Sequence, residues 1–419
     1  MKVLLSAYAC EPGRGTELGV GWNTVREVAR YCEVWVLTRP DDGREAIEAE
    51  LARNPVPNLH FVYFTLPIWG NGWTWGQGAF QIHYYLWQIQ AYFVALKLHR
   101  EIGFDLAHHV TFVKHSTPSF LSLLPIPFIL GPVGGGETAP KAFFQDFSRR
   151  GKLYEALRSL SRWLGERDPF ARITVKRSML AWATTDDTAQ RLVAMGGKNV
   201  EILSQVGLLS EEVAQLAQYS LLSEVPVRFI SIGRFLHWKG FHLGLRAFAQ
   251  ASLPAEAEYW IVGKGVEGDA LQCLAIDLGI ASQVKFLNEM PRTDLLQKLG
   301  TCTALVHPSL HESGGFVCLE AMAAGRPVIC LDLGGPAVQV TAETGFKIPA
   351  DNPDQAVQGM ATAMSRLVQE PELRLRMGMA GRSRVHTFFN WETKGKFLAD
   401  VYETVLTQQG KSNACSDCS

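Results

Sequence analysis

The chain has 419 residues, 47% of them hydrophobic, and a formal net charge of -1. Domains run to about 100–200 residues, so two are expected, each with enough apolar residues for its own core. A near-neutral balance excludes a molecule built as a whole to hold nucleic acid, and no nucleic acid is expected as a partner.

From the N-terminus, short apolar runs alternate with helical patterns. Val3–Ala7, Val34–Leu37, Phe61–Phe64, Phe104–His108, Phe128–Leu130 and Ala181–Thr184 read as strands. The first run is too short for a secretory signal. The longest apolar stretch, Ala79–Leu98, is broken by Gln81, His83, Gln88, Gln90 and Lys97, so no transmembrane helix is expected and the expected compartment is the cytoplasm. Three features lie at the ends of these strands. Pro12–Trp22 is a glycine-rich connection containing Gly15 and Gly19, with a spacing that departs from the dinucleotide fingerprint. Asp105–Thr111 puts His108 and His109 at a strand end, and since neighbours in a strand face opposite sides, at least one of the two is a core or hinge group. Gly131–Glu137 carries Gly134 and Gly135, either a ligand loop or a turn that needs positive φ.

From Ser148 to Ser178 nine Lys or Arg stand against three Asp or Glu, and Leu153, Leu157, Leu160, Trp163 and Leu164 recur at helical spacing. Aromatics crowd the segment before it, including Trp69, Trp73, Trp75, Tyr84, Trp87 and Phe93. Cations beside an apolar stripe suit an anionic membrane surface. The alternative is a core-facing stripe with a solvated basic face.

A second series of strands follows: Arg228–Ile232, Tyr259–Val262, Val284–Phe286, Ala304–Val306 and Val328–Leu331. Alternating β and α segments predict an α/β chain with parallel sheets covered on both faces. The boundaries read as a first domain at 1–205, a second at 206–386, a closing helix at 387–409 that packs back across the domains, and a disordered tail at 410–419. The eight cysteines lie mostly in apolar runs and read as buried thiols rather than a disulfide framework.

Four features of this second half carry chemistry. Gly233–Gly240 follows a strand and holds Arg234 and Lys239, a pair able to grip two adjacent phosphates or to stand as a solvated surface pair. Val262–Gly265 puts Gly263 at a strand's carboxyl end, as a ligand approach or an ordinary turn. In His307–Pro327, Gly314, Gly315 and Phe316 open a helix whose bare amides favour an anion, and Glu312 and Glu320 bracket that point. A carboxylate accepts hydrogen bonds from vicinal hydroxyls, which suits a ribose or a hexose. Leu333–Pro336 is a further glycine turn at a strand end.

In order and spacing, Gly-Arg-x4-Lys-Gly, the Glu312/Glu320 pair, Glu-Ala-Met-Ala-Ala-Gly-x-Pro-Val and Gly-Gly-Pro resemble the nucleotide-sugar site of the family-4 retaining glycosyltransferases. Their fold, GT-B, has two Rossmann-like domains facing a central cleft. The resemblance implies that Arg234, Lys239 and the backbone of Gly314, Gly315 and Phe316 bind the donor diphosphate. It assigns the ribose to Glu320 and the donor sugar to Glu312 and to His109, in preference to His108. Gly15, Gly19, Gly134, Gly135 and Gly263 are expected in cleft loops. Two departures bear on the sugar's contacts more than the nucleotide's: Ser313-Gly314-Gly315-Phe316 replaces the usual Gly-Phe-Gly, and Ala337 and Val338 follow Pro336 where a Glu is usual.

The activity implied is transfer of a sugar from a nucleotide-diphosphate sugar, with retention and without a metal or cofactor, to a glycan or lipid-linked acceptor in glycan, polysaccharide or glycolipid synthesis. The alternatives are a sugar-nucleotide 2-epimerase of the same fold and a non-catalytic nucleotide-sugar-binding subunit.

Overall fold

The structure, a computed structural model, describes residues 1–416 apart from 16, 67–73, 75, 113 and 222–225. It divides into two compact units. Met1–Gly136, Ser159–Gln205 and the chain from Trp391 onward form the first; Glu137–Arg158 and Val206–Asn390 form the second.

Through residue 202 the elements are β1 (Lys2–Ser6), α1 (Glu17–Val28), β2 (Glu33–Thr38), α2 (Pro40–Arg53), β3 (Leu59–Tyr63), α3 (Gln77–Ile102), β4 (Leu106–His109), β5 (Phe128–Val133), α4 (Arg149–Gly165), α5 (Pro169–Arg177), β6 (Leu180–Ala183), α6 (Asp186–Met195) and β7 (Val200–Ile202). The seven strands form one sheet in the order β3-β2-β1-β4-β5-β6-β7. All pairings are parallel, and Ser6 of β1 stands opposite Leu37 on one side and His109 on the other. Side chains alternate between two cores, as strand geometry requires: Val3 and Leu5 join one, Leu4 the other. Burial on both faces is why these strands read as continuous apolar runs.

The remaining elements are α7 (Ser210–Leu216), β8 (Arg228–Ile232), α8 (Phe241–Gln250), β9 (Glu258–Val262), α9 (Gly268–Asp277), β10 (Val284–Leu287), α10 (Arg292–Gly300), β11 (Ala304–His307), α11 (Phe316–Ala323), β12 (Val328–Leu331), α12 (Gly334–Gln339), β13 (Gly345–Ile348), α13 (Pro353–Gln369), α14 (Pro371–Phe388) and α15 (Trp391–Ser416). Six of the strands form a second parallel sheet, ordered β10-β9-β8-β11-β12-β13. Phe229 and Val306 bury on one face, Ile230 and Leu305 on the other. Each sheet is doubly wound, the arrangement expected from the β/α alternation, and each reverses direction beside its first strand.

Three boundaries differ from those read in the sequence. Residues 137–158 fall in the interval assigned to the first domain but group with the second unit, because Ala139, Phe143 and Phe147 bury in its core. The closing helix starts at Trp391 rather than at 387 and belongs to the first unit, where Leu398, Ala399, Tyr402 and Val405 bury beside α1. There Gly395 lies so close to Glu27 that an added Cβ would meet the Glu27 Cβ at 2.4 Å. Finally, α15 runs to Ser416, so most of the segment expected to be a disordered tail is helical. It contains no proline to stop the hydrogen-bond ladder after Gln409. The edge strands β7 and β13 were missed, because Glu201 and Lys347 break their short apolar runs.

Candidate active site

The second unit concentrates its polar groups at the carboxyl ends of β8 and β11, beside the point where strand order reverses. In open α/β sheets that crevice is where ligands bind. Lys239 lies in the loop after β8 and Glu312 in the loop after β11. Lys239 Nζ donates to Glu312 Oε2 at 2.6 Å, and His307 Nε2 donates to the same oxygen at 2.9 Å. Burial acts to raise the Glu312 carboxyl, but the Lys239 ammonium and His307 together outweigh it and hold the group well below the usual carboxylate range. Arg234, on the same loop as Lys239, is exposed. The two cations read as one phosphate grip therefore differ here: Lys239 is neutralised by Glu312, and Arg234 is solvated.

The turn before α11 is held by its neighbours. Gly315 is the N-cap, with φ +90, a conformation glycine adopts without strain. Gln339 Nε2 donates to the Gly314 carbonyl at 2.6 Å, and the Gly335 amide donates to the Glu312 carbonyl at 2.7 Å. A Cβ on Gly335 would meet the Ser313 and Gly314 carbonyls at 2.4 and 2.5 Å. The Gly-Gly-Pro turn thus supports the loop of Glu312 through backbone contact, with the Pro336 ring beside Gly315. The side of α11 that carries Glu320 is buried; Arg292 grips Glu320 Oε1 with Nε at 3.1 Å and Nη2 at 2.7 Å. Arg292 also pairs with Glu212. Burial pushes the Glu320 carboxyl up against the pull of Arg292.

Gly263 has φ +143 and lies against Gly233, whose carbonyl oxygen would be 2.0 Å from an added Cβ. Its glycine is required by that approach of two loops, whatever else it does.

In the first unit, the rings of His108 and His109 leave β4 in opposite directions. His108 Nε2 donates to the Gly131 carbonyl and Nδ1 accepts from Tyr402 Oη, both at 2.6 Å, so both its nitrogens are used. His109 Nε2 meets Tyr84 Oη at 2.8 Å, whereas its buried Nδ1 has no hydrogen-bond partner among the described residues. Burial brings the two imidazoles down to about 4 and about 3, which keeps them neutral at pH 7. In the glycine-rich loop, an added Cβ on Gly19 would meet the Arg14 carbonyl oxygen at 1.7 Å, while Gly15 faces open space. Gly134 bridges to Lys114 in parallel fashion, and Gly135 has φ +86.

Sequence reasoning assigned no role to His307 or Arg292, nor to Glu155 and Glu137, which reach the same loops. His307 ends β11, so a search of strand ends finds it, whereas Arg292 opens α10. Glu155 lies 156 residues before His311 and Glu137 lies 176 before Ser313, and neither gave a local signal. Of the aromatics read as an interfacial cluster, Tyr84 and Trp87 are buried in the first unit's core, and Trp69, Trp73 and Trp75 lie outside the described residues.

Comparison with known proteins finds a family match within the second unit. Residues 216–384 match the family described as glycosyl transferases group 1. The chain is 34% identical over 139 residues to the D-inositol 3-phosphate glycosyltransferase of Streptomyces avermitilis, covering 33% of this chain and 29% of that one. It is 29% identical over 228 residues to the lipopolysaccharide core biosynthesis glycosyltransferase LpsE of Rhizobium meliloti, covering 54% and 63%. The chain thus spans less than two thirds of the length of these relatives. Among solved structures, Anabaena HepE in complex with UDP superposes with a TM-score of 0.62 at 19% identity, over 96% of this chain and all of that one. At that identity the likeness shows the GT-B fold. Residues 216–384 therefore resemble the glycosyl transferases group 1 family, and the chain as a whole carries the GT-B fold.

Proposed function

We propose that the chain transfers a sugar from a nucleoside-diphosphate sugar to an acceptor hydroxyl, with retention of anomeric configuration. The observation that carries this reading is the joining of Lys239, Glu312 and His307 at one strand edge, beside an α11 helix start and the Arg292–Glu320 pair. In such a transfer the bond between the anomeric carbon and the diphosphate oxygen breaks. The acceptor oxygen bonds to that carbon, and its proton passes to the departing phosphate. Charge grows on the leaving diphosphate, where fixed cations and amides act most strongly. Lys239, Arg234 and the amides of Gly314, Gly315 and Phe316 fill that role. Glu320 receives the ribose hydroxyls, and Glu312 faces the donor sugar. His109, neutral and with a ring nitrogen left over, keeps its assignment to the sugar. With these groups at the phosphate, transfer proceeds without a bound metal or cofactor, so activity should survive EDTA; loss restored by magnesium overturns that part.

The test is product analysis with and without acceptor across UDP-glucose, UDP-galactose and GDP-mannose. Glycoside formed only with acceptor, with the donor's anomeric configuration by NMR, supports the reading. An epimerised product without acceptor identifies an epimerase instead, and binding without turnover identifies a binding subunit.

The acceptor side of the reading is a glycan or lipid-linked molecule at an anionic membrane surface, and helix α4 favours it. Among the described residues no helix is long and apolar enough to cross a membrane. Yet α4 turns Leu153, Leu157, Leu160, Trp163 and Leu164 outward, each 50–60% exposed. Its charged Glu155 and Arg162 are buried instead. Arg149, Arg150, Lys152 and Arg167 are exposed around that apolar stripe. Exposed leucines ringed by cations suit the surface of an anionic bilayer. Co-sedimentation should require anionic lipid, weaken with salt and fall on Leu157→Gln. Equal recovery in the supernatant with neutral and anionic vesicles sinks this part and leaves the transferase reading standing.

A further inference from the structure

The inverted face of α4 raises a separate question: why a helix with leucines outside holds a carboxylate inside. Glu155 is 1% exposed, and its Oε1 accepts from two imidazoles, His311 Nε2 at 2.9 Å and His237 Nε2 at 3.2 Å. Burial acts to raise the Glu155 carboxyl, and the bonds from His237 and His311 outweigh it and bring it down to about 2. The group is therefore an anion that accepts from both rings. His237 lies two residues before Lys239, and His311 directly precedes Glu312. One buried carboxylate oxygen thus joins the loop of the proposed phosphate-binding lysine to the loop of the proposed sugar-facing glutamate.

Other contacts run along the same line. Tyr154 stacks on Trp238 with centroids 4.9 Å apart, and Trp238 stacks on His311 at 5.3 Å. The Leu310 amide donates to the Trp238 carbonyl at 2.7 Å, and the Ser313 hydroxyl donates to Glu137 Oε2 at 2.8 Å. A Cβ on Gly240 would lie 2.0 Å from the Pro308 carbonyl oxygen, so the two loops touch at their backbones. Residues 137–158 cross both loops, within one compact unit.

We propose that Glu155 is a positioning residue for transfer: by holding His237 and His311 on one oxygen it sets the approach of Lys239 to Glu312. On this reading it acts through those two histidines and not on donor or acceptor itself. The proposal rests on the transferase reading above for its kinetic consequence, but not for the tie itself. Small displacements of reacting groups cost rate steeply, whereas on the transferase reading the ribose contact of Glu320, the α11 amides and Arg234 lie outside this tie, so UDP affinity should fall less than rate.

Glu155→Gln keeps an acceptor oxygen in place, and Glu155→Leu removes it at similar volume. With whichever of UDP-glucose, UDP-galactose and GDP-mannose the unaltered chain consumes, Glu155→Leu should lose roughly tenfold or more in kcat per folded molecule. Donor KM and UDP affinity should stay within about threefold, and Glu155→Gln should recover most of the rate. A merely structural carboxylate would lower Tm without this kcat selectivity or rescue. Should Glu155→Leu not fold, His237→Phe keeps the ring and removes one donor, and should show the same selectivity at smaller size. Nitrogen-15 spectra of the histidines read the tie without turnover. They should show Nε2–H hydrogen-bonded imidazoles at His237 and His311 that shift in Glu155→Gln. Failure of the transferase reading leaves those spectra intact. Unchanged spectra, normal kcat in the Leu variant, or a Gln variant as impaired as Leu overturns the proposal.

Discussion

In the second unit, Lys239 pairs with Glu312 in the loops after β8 and β11, and Arg292 at the start of α10 pairs with Glu320 of α11, each cation placed against a carboxylate. In the first unit the corresponding strand end holds two buried imidazoles kept neutral by desolvation, hydrogen-bonded to tyrosines and a carbonyl. The same doubly wound scaffold thus presents charge on one sheet and neutral hydrogen-bonding groups on the other. The contrast teaches that burial alone does not decide ionisation. Glu155 is buried and held as an anion by its histidine partners, whereas His109 is buried without a charged partner and stays neutral.

The largest way to break this comparison is to remove a cation. Lys239→Ala deletes a charge-assisted contact of roughly 1.5–3 kcal/mol, about a ten- to hundredfold loss in turnover. Arg234→Ala should lose a comparable amount only once the diphosphate is bound, because Arg234 is solvated without it. Initial-rate kinetics checks both, and near-normal turnover in either variant removes that residue from the phosphate grip.

Next in size is the separation of the two carboxylates. Glu320→Gln should weaken UDP binding by about 1–2 kcal/mol, since it loosens Arg292 as well as the ribose contact. Glu312→Gln should depress transfer and leave UDP affinity closer to normal. Calorimetry with UDP decides, and the reverse ranking means that the roles are exchanged.

The smallest effect tests the neutral side. His109 sits near 3 when folded and near the ordinary 6.5 when unfolded. Between those values the unfolded chain binds the extra proton, so the stability His109 contributes is present above about pH 6.5 and is lost as pH falls. His109→Gln lacks this dependence. The stability difference between the two chains should therefore shrink by on the order of 2 kcal/mol from pH 7 to pH 4.5. Thermal melts across that range would show a constant difference if the ring titrates normally.

Much of the second unit was legible because its chemistry is local. Arg234 and Lys239 lie within one loop, and Glu312, Gly315 and Glu320 lie within one loop and the helix it opens, so spacing alone put them past strand ends and at a helix start. The first unit's donors were less legible: choosing between His108 and His109 needs the facing of β4, which no spacing supplies. The outward leucines of α4 were visible as a periodic stripe, but periodicity does not say whether a stripe meets core or solvent.

By itself the sequence determined the two parallel sheets, from paired series of short apolar runs, and the charged edge of the second, from motif spacing. Both are short-range properties, written in neighbouring residues. Only the tertiary structure decided that residues 137–158 join the second unit, that α15 returns to the first, that Lys239 and His307 share one oxygen of Glu312, and that Glu155 binds two loops more than eighty residues away. Each of these depends on which buried surfaces meet after the chain has folded, and a hydrogen bond between distant residues leaves no periodicity for the sequence to show.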